Sequence, residues 1–429
     1  MNSSFTGIKE KTGPFFYVSL FCMAILFHQS SILFGVNFSI ADFFCIFFVI
    51  SLIVQNQLLI PIIPLLFYLF VVILVTLTAV FYVPIVLGIE TNMIRIGSDF
   101  IKLSASFLYF LLGFTLTQKG FFRTVIKWYS YAGVAIGTLG IVMTILNVKV
   151  FSSLLYYADV RYRGLMIDPN YFSVLLVTSY VFFNKNEEIK SIYKTIIFFL
   201  VLGGVLVAGS KTGLLTLCVY VCIQGWEYLR SYKKNVAAII TSLLIISLIL
   251  LVFPIITAIF QNEIQQLANS RPALERVYVV FDDLDGAISG SGSERDTTWR
   301  VALEMIALSP YVGVGIGSYT TVANEFFLYN NVAHNTFLQL AAEWGLPVAS
   351  IFFLYVFFQL FKVWKNTKQF NCNAIIVTHI LFILMVGSMA ITLSNARPLW
   401  FFLGVLIYYI SQHRKEKARR LSMLNREKI

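Results

Sequence analysis

The sequence predicts an all-α polytopic membrane protein with about twelve transmembrane helices and one long, partly helical extracytoplasmic loop. Its 429 residues are 58% apolar and only 12% charged, whereas a typical soluble domain carries about 25% charged residues. Apolar runs long enough to cross a bilayer recur along the chain. This composition argues against a soluble enzyme, a disordered chain and a nucleic-acid-binding domain.

The expected helices are mostly apolar runs of about 20 residues, the length needed to cross the hydrocarbon core. They lie near residues 14–34, 38–54, 58–83, 100–117, 125–147, 169–183, 192–208, 212–229, 236–260, 335–361, 374–394 and 398–411. This divides the chain into helices 1–9 over residues 1–260, a large loop over 261–335, helices 10–12 over 336–411 and a basic tail over 412–429. The five cysteines show neither a disulfide framework nor metal-ligand spacing.

The basic residues predict the orientation, because lysine and arginine favour the cytoplasmic side of a membrane. With both termini in the cytoplasm, 21 of the 32 lysines and arginines fall in inner segments. The eleven expected outside are mostly arginine, whose planar guanidinium suits bidentate contacts to phosphate or carboxylate. As a set they indicate an anionic ligand at the outer face, although ordinary salt bridges explain any single one equally well. These residues are Arg95, Arg161, Arg163, Arg271, Arg276, Arg295, Arg300, Arg397, Lys102, Lys149 and Lys211.

The connection over residues 261–335 is long, and loops of this length usually carry function or structure of their own. Ser293 with Asp296 predicts a helix start, and Pro310 predicts its end. The glycine-rich stretch Gly313–Gly317 predicts a flexible turn. No strand precedes it and no basic helix follows, which argues against a dinucleotide loop. Nine acidic residues outnumber four arginines in this loop, so particular arginines would have to hold any anion.

Two motifs of the predicted outer surface combine cations with turns. Arg161 and Arg163 precede Asp168–Asn170, and Asp-Pro-Asn before an apolar run marks a helix start. Lys211 lies in the turn Gly209–Gly213 between two predicted spans. A capped membrane helix and a hairpin with a snorkelling lysine explain both motifs structurally. An anion site is the functional alternative.

A third motif begins at His334, where the long loop enters the tenth predicted span. A helix start presents amide groups and a positive dipole end to an anion. Gln339 and Glu343 are expected about 7 and 13 Å further into the span, at 1.5 Å per residue. A carboxylate at that depth is a functional hypothesis by default. A lone histidine at an interface is usually inert, and this remains the alternative for His334.

Together, these motifs resemble the bacterial O-antigen ligase/polymerase family, whose members are polytopic membrane glycosyltransferases of the GT-C type. The resemblance covers roughly residues 160–350. The matching residues occur in the family's order and are Arg163-Gly164, Asp168-Pro169-Asn170, Gly209–Gly213, Arg295, Arg300, Ser309-Pro310, Gly313–Gly317, His334-Asn335 and Gly345.

The resemblance implies glycan transfer at the periplasmic or extracellular face of the cytoplasmic (inner) membrane. The implied donor is an undecaprenyl-diphosphate-linked oligosaccharide, and its glycan moves to a sugar hydroxyl with inversion, without a metal or another cofactor. Membrane lipid and the chain-length regulator and flippase of the same pathway are the implied partners, with no nucleic acid.

The same resemblance assigns roles to individual residues. His334 and Arg300 are the predicted catalytic residues, and Lys211 stands where relatives often carry arginine. The predicted ligands of the diphosphate are Arg161, Arg163, Lys211, Arg295 and Arg300. The predicted supporting residues are Asp168, Asn170, Asn335 and Glu343.

Three functions remain open at the level of the sequence. A polymerase of O-antigen, capsule or exopolysaccharide repeat units is preferred, because Val348 stands where ligases tend to carry a small or hydroxyl residue. A ligase would instead move the finished glycan to lipid A-core or another acceptor. A transporter or flippase of lipid-linked sugars is expected to show two similar halves around a central inner loop. Here the inner loop 184–194 is short and the long loop lies at 261–335.

Overall fold

The computed structural model describes residues 13–30, 39–231 and 295–426, which are mostly helical. The helices before the long loop are α1 (Pro14–Leu26), α2 (Ile40–Val54), α3 (Ile62–Leu77), α4 (Met93–Gln118), α5 (Phe122–Ile145), α6 (Ser152–Leu155), α7 (Pro169–Lys185), α8 (Ser191–Val207) and α9 (Lys211–Ser231). Those that follow are α10 (Arg295–Leu308), α11 (Tyr319–Phe327), α12 (Thr336–Trp344), α13 (Leu346–Lys365), α14 (Cys372–Gly387) and α15 (Arg397–Arg426).

Three shorter elements complete the described part. Helix α3 continues as a π-helical segment, Thr78–Leu87. Pro84 lies inside this segment, where its missing N–H and its ring disturb the regular α-helical bonding. The strands β1 (Tyr156–Tyr157) and β2 (Arg161–Tyr162) form a small antiparallel hairpin. A 3₁₀ turn, Thr367–Gln369, joins α13 to α14.

Four helical segments in the described ranges are long and apolar enough to cross a membrane, which supports an all-α, multi-pass membrane protein. They are Ile62–Leu87, Met93–Gln118, Phe122–Ile145 and Leu346–Lys365. Helices α1, α2, α8 and α14 are apolar but shorter. The predicted number of twelve spans is not confirmed by these segments. The predicted span 236–260 and residues 261–294 of the predicted loop lie outside the described residues.

The predicted tenth span, residues 335–361, is two helices rather than one. It divides at Gly345, whose φ of 79° and ψ of 153° are readily accessible only to glycine. A side chain there would also collide with the backbone, because an added Cβ would lie 2.2 Å from the carbonyl oxygen of Tyr311. Helix α12 therefore has nine residues, too few to cross the hydrocarbon core.

The Gly313–Gly317 stretch contains the predicted turn, and backbone hydrogen bonds hold it between helices. The amides of Val314 and Gly315 donate to the carbonyls of Ala342 and Glu343, at 2.8 and 3.0 Å. Ile316 donates to Val75 on α3, at 3.1 Å. Glycines at positive φ allow this close approach of backbones. The stretch ties the end of α12 to α3.

The buried apolar side chains form two clusters. The first contains residues of α1, α2, α4, α5, α7, α8, α9, α13, α14 and α15, and Tyr109, Tyr129 and Phe402 are among its largest members. The second joins α3, the start of α4 and the helices α10 to α13, and Tyr319 and Trp344 are among its members. Segments from both clusters surround one large polar cavity.

Candidate functional site

The cavity has a volume of about 940 Å³ and is lined by segments far apart in sequence. Its wall combines the start of α4, the chain from β1 to α7, the α8–α9 turn, the first described residue of α10, the α11–α12 region and the α14–α15 connection. The ionisable side chains in the wall, apart from tyrosines, are Arg95, Asp99, Lys102, Arg161, Asp168, Lys211, Arg295, His334, Glu343 and Arg397.

Arg161 is held by backbone carbonyls at the end of α8. Its Nε donates to the Ala208 oxygen at 3.0 Å, and its Nη2 donates to the Gly209 oxygen at 3.1 Å. A guanidinium at this position compensates the negative end of the helix dipole. The side chain is 7% exposed and reaches the cavity wall. Its position is therefore fixed by the fold.

Asn170 joins Arg161 to the turn before α9. Its Oδ1 accepts from Arg161 Nη2 at 3.1 Å and from the Ser210 hydroxyl at 3.0 Å. Asp168 caps α7, since its Oδ1 accepts from the amides of Asn170 and Tyr171 at 2.7 and 3.0 Å. The helix start predicted from Asp-Pro-Asn is confirmed.

Lys211 and Arg295 complete a basic end of the cavity, defined by Arg161, Lys211 and Arg295. Lys211 is the first residue of α9, and Arg295 is the first described residue of α10. The Arg295 Nη2 donates to the Thr212 hydroxyl at 3.1 Å. Arg161 is thus attached to the α8–α9 turn and Arg295 to the first turn of α9, which begins with Lys211.

His334 lies just before α12 and lines the same cavity. Its φ of +47° is uncommon for a residue with a side chain. The next residue, Asn335, caps the helix, because its Oδ1 accepts from the amides of Phe337 and Leu338 at 2.9 and 3.2 Å. The cap fixes the backbone that presents the exposed imidazole. The predicted helix start at His334 is confirmed.

A second group in the wall, which we call the α4–α12 end, consists of Arg95, Asp99, Lys102, Gln339 and Glu343. Gln339 Nε2 donates to Glu343 Oε1 at 2.6 Å, while its Oε1 accepts from the Ala333 amide at 2.9 Å. Lys102 pairs with Asp99 at 2.6 Å. Two acids and two bases are thus combined here with an amide.

Desolvation raises the pKa of the Glu343 carboxyl to about 8, and the charge of Asp99 adds to this shift. The hydrogen bond from Gln339 and the charges of Lys102 and Arg95 lower the pKa but do not offset the larger cause. Glu343 lies on α12, which is too short to span a membrane. Its side chain is therefore mostly protonated at neutral pH and can donate a proton.

Arg397 enters the wall from the start of α15 and is held by Asp42 of α2. Its Nε and Nη2 donate to the two carboxylate oxygens, both at 2.6 Å. Tyr109 donates to Asp42 Oδ1 at 2.8 Å. The sequence reasoning did not assign this pair to the site. A carboxylate inside the second predicted span was the available signal, because such groups are normally paired.

Seven of the ten predicted site residues line the cavity, namely Arg161, Asp168, Asn170, Lys211, Arg295, His334 and Glu343. Among the described residues of its wall, Arg163, Arg300 and Asn335 are not found. Arg163 donates instead to the carbonyls of Leu154, Ile167 and Ser153, at 3.3, 3.0 and 2.7 Å. Arg300 is exposed on α10. Arg163 and Arg300, which were predicted to bind the same ligand as His334, therefore lie outside the described wall of the cavity that His334 lines.

Several residues of the wall were not predicted as site residues. Arg95, Lys102 and Arg397 belong to the outer basic set, but nothing distinguished them within it. Arg95, Asp99 and Lys102 are spaced by four and three residues, which places them on one face of α4. That spacing was the signal that could have found them.

A comparison with known families identifies the region that contains much of this wall. Residues 196–353 match the family model described as O-antigen ligase. The match confirms the predicted resemblance to the O-antigen ligase/polymerase family. The part of the chain that matches the family model, residues 196–353, contains Lys211, Arg295, His334 and Glu343. A search of curated proteins found no match.

The family match also supports the general character of the protein. O-antigen ligase/polymerase family members are membrane glycosyltransferase-like enzymes of polysaccharide biosynthesis, with lipid-linked glycans and membrane lipids as substrates. The helices that are apolar enough to cross a membrane agree with a multi-pass protein of this kind.

Proposed function

We propose that the protein transfers a glycan from a polyprenyl-diphosphate-linked donor to a sugar hydroxyl in the cavity described above. The observation that supports this most directly is the grouping of Arg161, Lys211, Arg295 and His334 around one polar space. It combines cations suited to a diphosphate with an imidazole suited to proton transfer.

The basic end holds the diphosphate of the donor in this proposal. Charge develops on the oxygen between the sugar and the diphosphate as their bond breaks. Fixed cations stabilise that charge without reorganising, and they act most strongly where water is excluded. Arg161 meets the requirement for fixed geometry, because three hydrogen bonds hold its guanidinium. Lys211 and Arg295 add charge on the same side.

His334 is the proposed general base. The acceptor oxygen forms a bond to the anomeric carbon, and the bond from that carbon to the diphosphate oxygen breaks. The diphosphate leaves with the bonding electron pair, while the proton of the acceptor hydroxyl moves to the neutral imidazole. A single displacement of this kind inverts the configuration. General base catalysis typically contributes about 10²–10⁴-fold to the rate.

We further propose that the acceptor is another lipid-linked repeat unit, which makes the enzyme a polysaccharide polymerase of the cytoplasmic membrane. The preference for a polymerase rests on Val348 near the start of α13, at a position where ligases of the family tend to carry a small or hydroxyl residue. The second candidate is a ligase that transfers the finished glycan, and the description of the matched family favours it. The two functions share the chemistry at His334 and differ in the acceptor.

Two experiments test these proposals separately. Purified protein in lipid nanodiscs is incubated with the lipid-diphosphate-linked repeat unit of its host, and longer lipid-linked products are expected. Absence of any glycan transfer would overturn the enzymatic proposal. Deletion of the gene is then followed by gel analysis of the surface glycan. Single repeat units on the acceptor indicate a polymerase, whereas naked acceptor with accumulated lipid-linked polymer indicates a ligase.

A further inference from the structure

Three hydroxyl groups in the cavity wall, those of Tyr319, Thr320 and Thr392, have no hydrogen-bond partner among the described residues. Tyr319 and Thr320 stand at the start of α11 and are 2% and 4% exposed. Both line the cavity, and neither hydroxyl has a hydrogen-bond partner within residues 13–30, 39–231 and 295–426. Buried hydroxyls are normally hydrogen-bonded. Groups of this kind in the wall of a cavity point to a ligand with polar hydrogen and oxygen atoms.

The groups near Tyr319 are also able to form hydrogen bonds with a polar ligand. The Gly313–Gly317 stretch leads directly into α11 and is bonded to the Glu343 carbonyl through Gly315, at 3.0 Å. The Glu343 carboxyl is close enough to Tyr319 to act on its phenol electrostatically. Gln339, which donates to Glu343 at 2.6 Å, lies one helical turn before it. Hydroxyl, amide and carboxyl groups, each able to donate or accept, match the hydroxyls of a sugar ring.

The two ends of the cavity differ in charge. At the basic end three cations share the wall with one acid, Asp168. At the α4–α12 end two bases, Arg95 and Lys102, share the wall with two carboxyl groups, those of Asp99 and Glu343. The Asp99–Lys102 pair at 2.6 Å satisfies one charge of each sign internally. An anionic diphosphate is therefore attracted more strongly to the basic end, and an uncharged polyhydroxyl group is better suited to the α4–α12 end.

His334 directly follows Ala333, the residue whose amide is hydrogen-bonded to the Gln339 side chain. The amide of Ala333, the residue before His334, donates to Gln339 Oε1 at 2.9 Å. A sugar bound at Gln339 and Tyr319 is therefore close to the backbone of His334, whose side chain lines the same cavity. In an inverting displacement the attacking oxygen approaches the anomeric carbon opposite to the leaving oxygen. With the leaving diphosphate at the basic end, the attacking sugar comes from the α4–α12 side.

We propose that Tyr319, Thr320, Gln339 and Glu343 form a binding subsite for the attacking sugar of the acceptor glycan. This inference rests on the proposed glycosyl transfer and assigns the acceptor side of the same cavity. Asp99 and Lys102 border the subsite, and the Gly313–Gly317 stretch holds it against α3 and α4.

The test uses a probe that can accept a glycan but cannot act as the glycan donor, because it has no diphosphate leaving group. The repeat unit of the host is attached to a short alkyl chain without phosphate, and its elongation by full-length protein in nanodiscs is followed at saturating lipid-linked donor. Tyr319→Phe and Thr320→Val should each raise the KM for this acceptor by roughly five-fold or more, the effect of one lost hydrogen bond. Their KM for the donor should stay within about two-fold of wild type.

Two variants serve as controls. Tyr311→Phe removes the same hydroxyl from a tyrosine that is 78% exposed and lies outside the cavity wall, and both KM values should remain unchanged. Lys211→Met should raise the KM for the donor and leave that of the acceptor unchanged. Thermal melting of each variant shows that the protein is folded. Because the Tyr319 and Thr320 hydroxyls have no partner in the described part of the chain, their removal should cost little stability.

The outcomes separate the subsite from the proposed function. If wild-type protein transfers glycan but Tyr319→Phe and Thr320→Val keep the wild-type acceptor KM, the subsite is overturned and the function stands. The same conclusion follows if these variants raise the donor KM as much as that of the acceptor. If wild-type protein transfers no glycan to either acceptor, the proposed function is overturned and the subsite with it.

Discussion

Asp42 and Arg397 form a bidentate ion pair, with both N–O distances at 2.6 Å, across a separation of 355 residues. The Asp42 side chain is 6% exposed and that of Arg397 is 13% exposed. The pair joins the start of α2 to the start of α15 at the wall of the cavity. It also receives the Tyr109 hydroxyl, so the carboxylate is well hydrogen-bonded.

Loss of one partner of this pair should destabilise the protein. Arg397→Ala leaves a buried carboxylate without its cation, which costs about 3–5 kcal/mol in comparable cases. We expect a large decrease in Tm in detergent or nanodiscs, and a smaller further change when Asp42→Ala is added to it. Asp99→Ala is the control, because the Asp99–Lys102 pair is about one quarter exposed. Equal decreases for Arg397→Ala and Asp99→Ala would contradict this account.

His334→Ala should abolish most of the glycan transfer while the protein remains folded. The loss of a general base predicts a decrease of about 10²–10⁴-fold in kcat with little change in donor binding. His413→Ala, in α15 and outside the cavity wall, is the control. Rates are measured with the lipid-linked donor. Full activity of the His334→Ala variant would exclude His334 as the general base.

Arg295 and Arg300 should differ in their importance, although they lie five residues apart on α10. Arg295 reaches the cavity and donates to Thr212, whereas Arg300 is exposed and outside the wall. We expect Arg295→Ala to raise the donor KM at least ten-fold and Arg300→Ala to change it little. The family resemblance predicts a catalytic Arg300 instead. Abolished transfer in Arg300→Ala would favour that assignment over the geometry.

The Glu343 carboxyl should make stability depend on pH. Its pKa of about 8 lies above the ordinary value of 4.5, so the folded protein keeps a proton that the unfolded chain loses. Stability from this group is therefore present below about pH 4.5 and is lost as the pH rises to about 8. Relative to Glu343→Gln, the wild-type Tm should fall between pH 5 and 8 and level off above. A difference in Tm that is constant from pH 5 to 9 would contradict the raised pKa.

Gly345→Ala should disrupt the connection between α12 and α13. An alanine would adopt an unfavourable backbone conformation at φ 79°, and its Cβ would lie 2.2 Å from the Tyr311 oxygen. We expect reduced Tm and loss of transfer, because α12 carries Glu343 and begins beside His334. Gly225→Ala is the matched control on α9, where an added Cβ meets no atom within 4 Å. A wild-type Tm for Gly345→Ala would show that the close approach is not required.

Local features of the chain explain why part of this site could be predicted. Asp168 and Asn335 cap helices through neighbouring amides, and such caps depend on residues only two or three positions away. The break at Gly345 also has a local cause, but a glycine followed by Leu346 and Pro347 is compatible with a continuous span as well. The contact with Tyr311 decides between them, and it is a tertiary contact.

The sequence by itself determined the helical membrane character, the positions of several helix starts and the presence of the motifs around Lys211 and His334. These depend on composition and short-range spacing, which a linear chain displays directly. Only the tertiary structure decided which cations share a cavity. Arg161 and Arg163 are two residues apart, yet one is directed to α8 and the cavity and the other to the carbonyls of its own loop. Backbone direction and helix packing make that difference, because side-chain neighbours across a fold are set by contacts between segments that are distant in sequence.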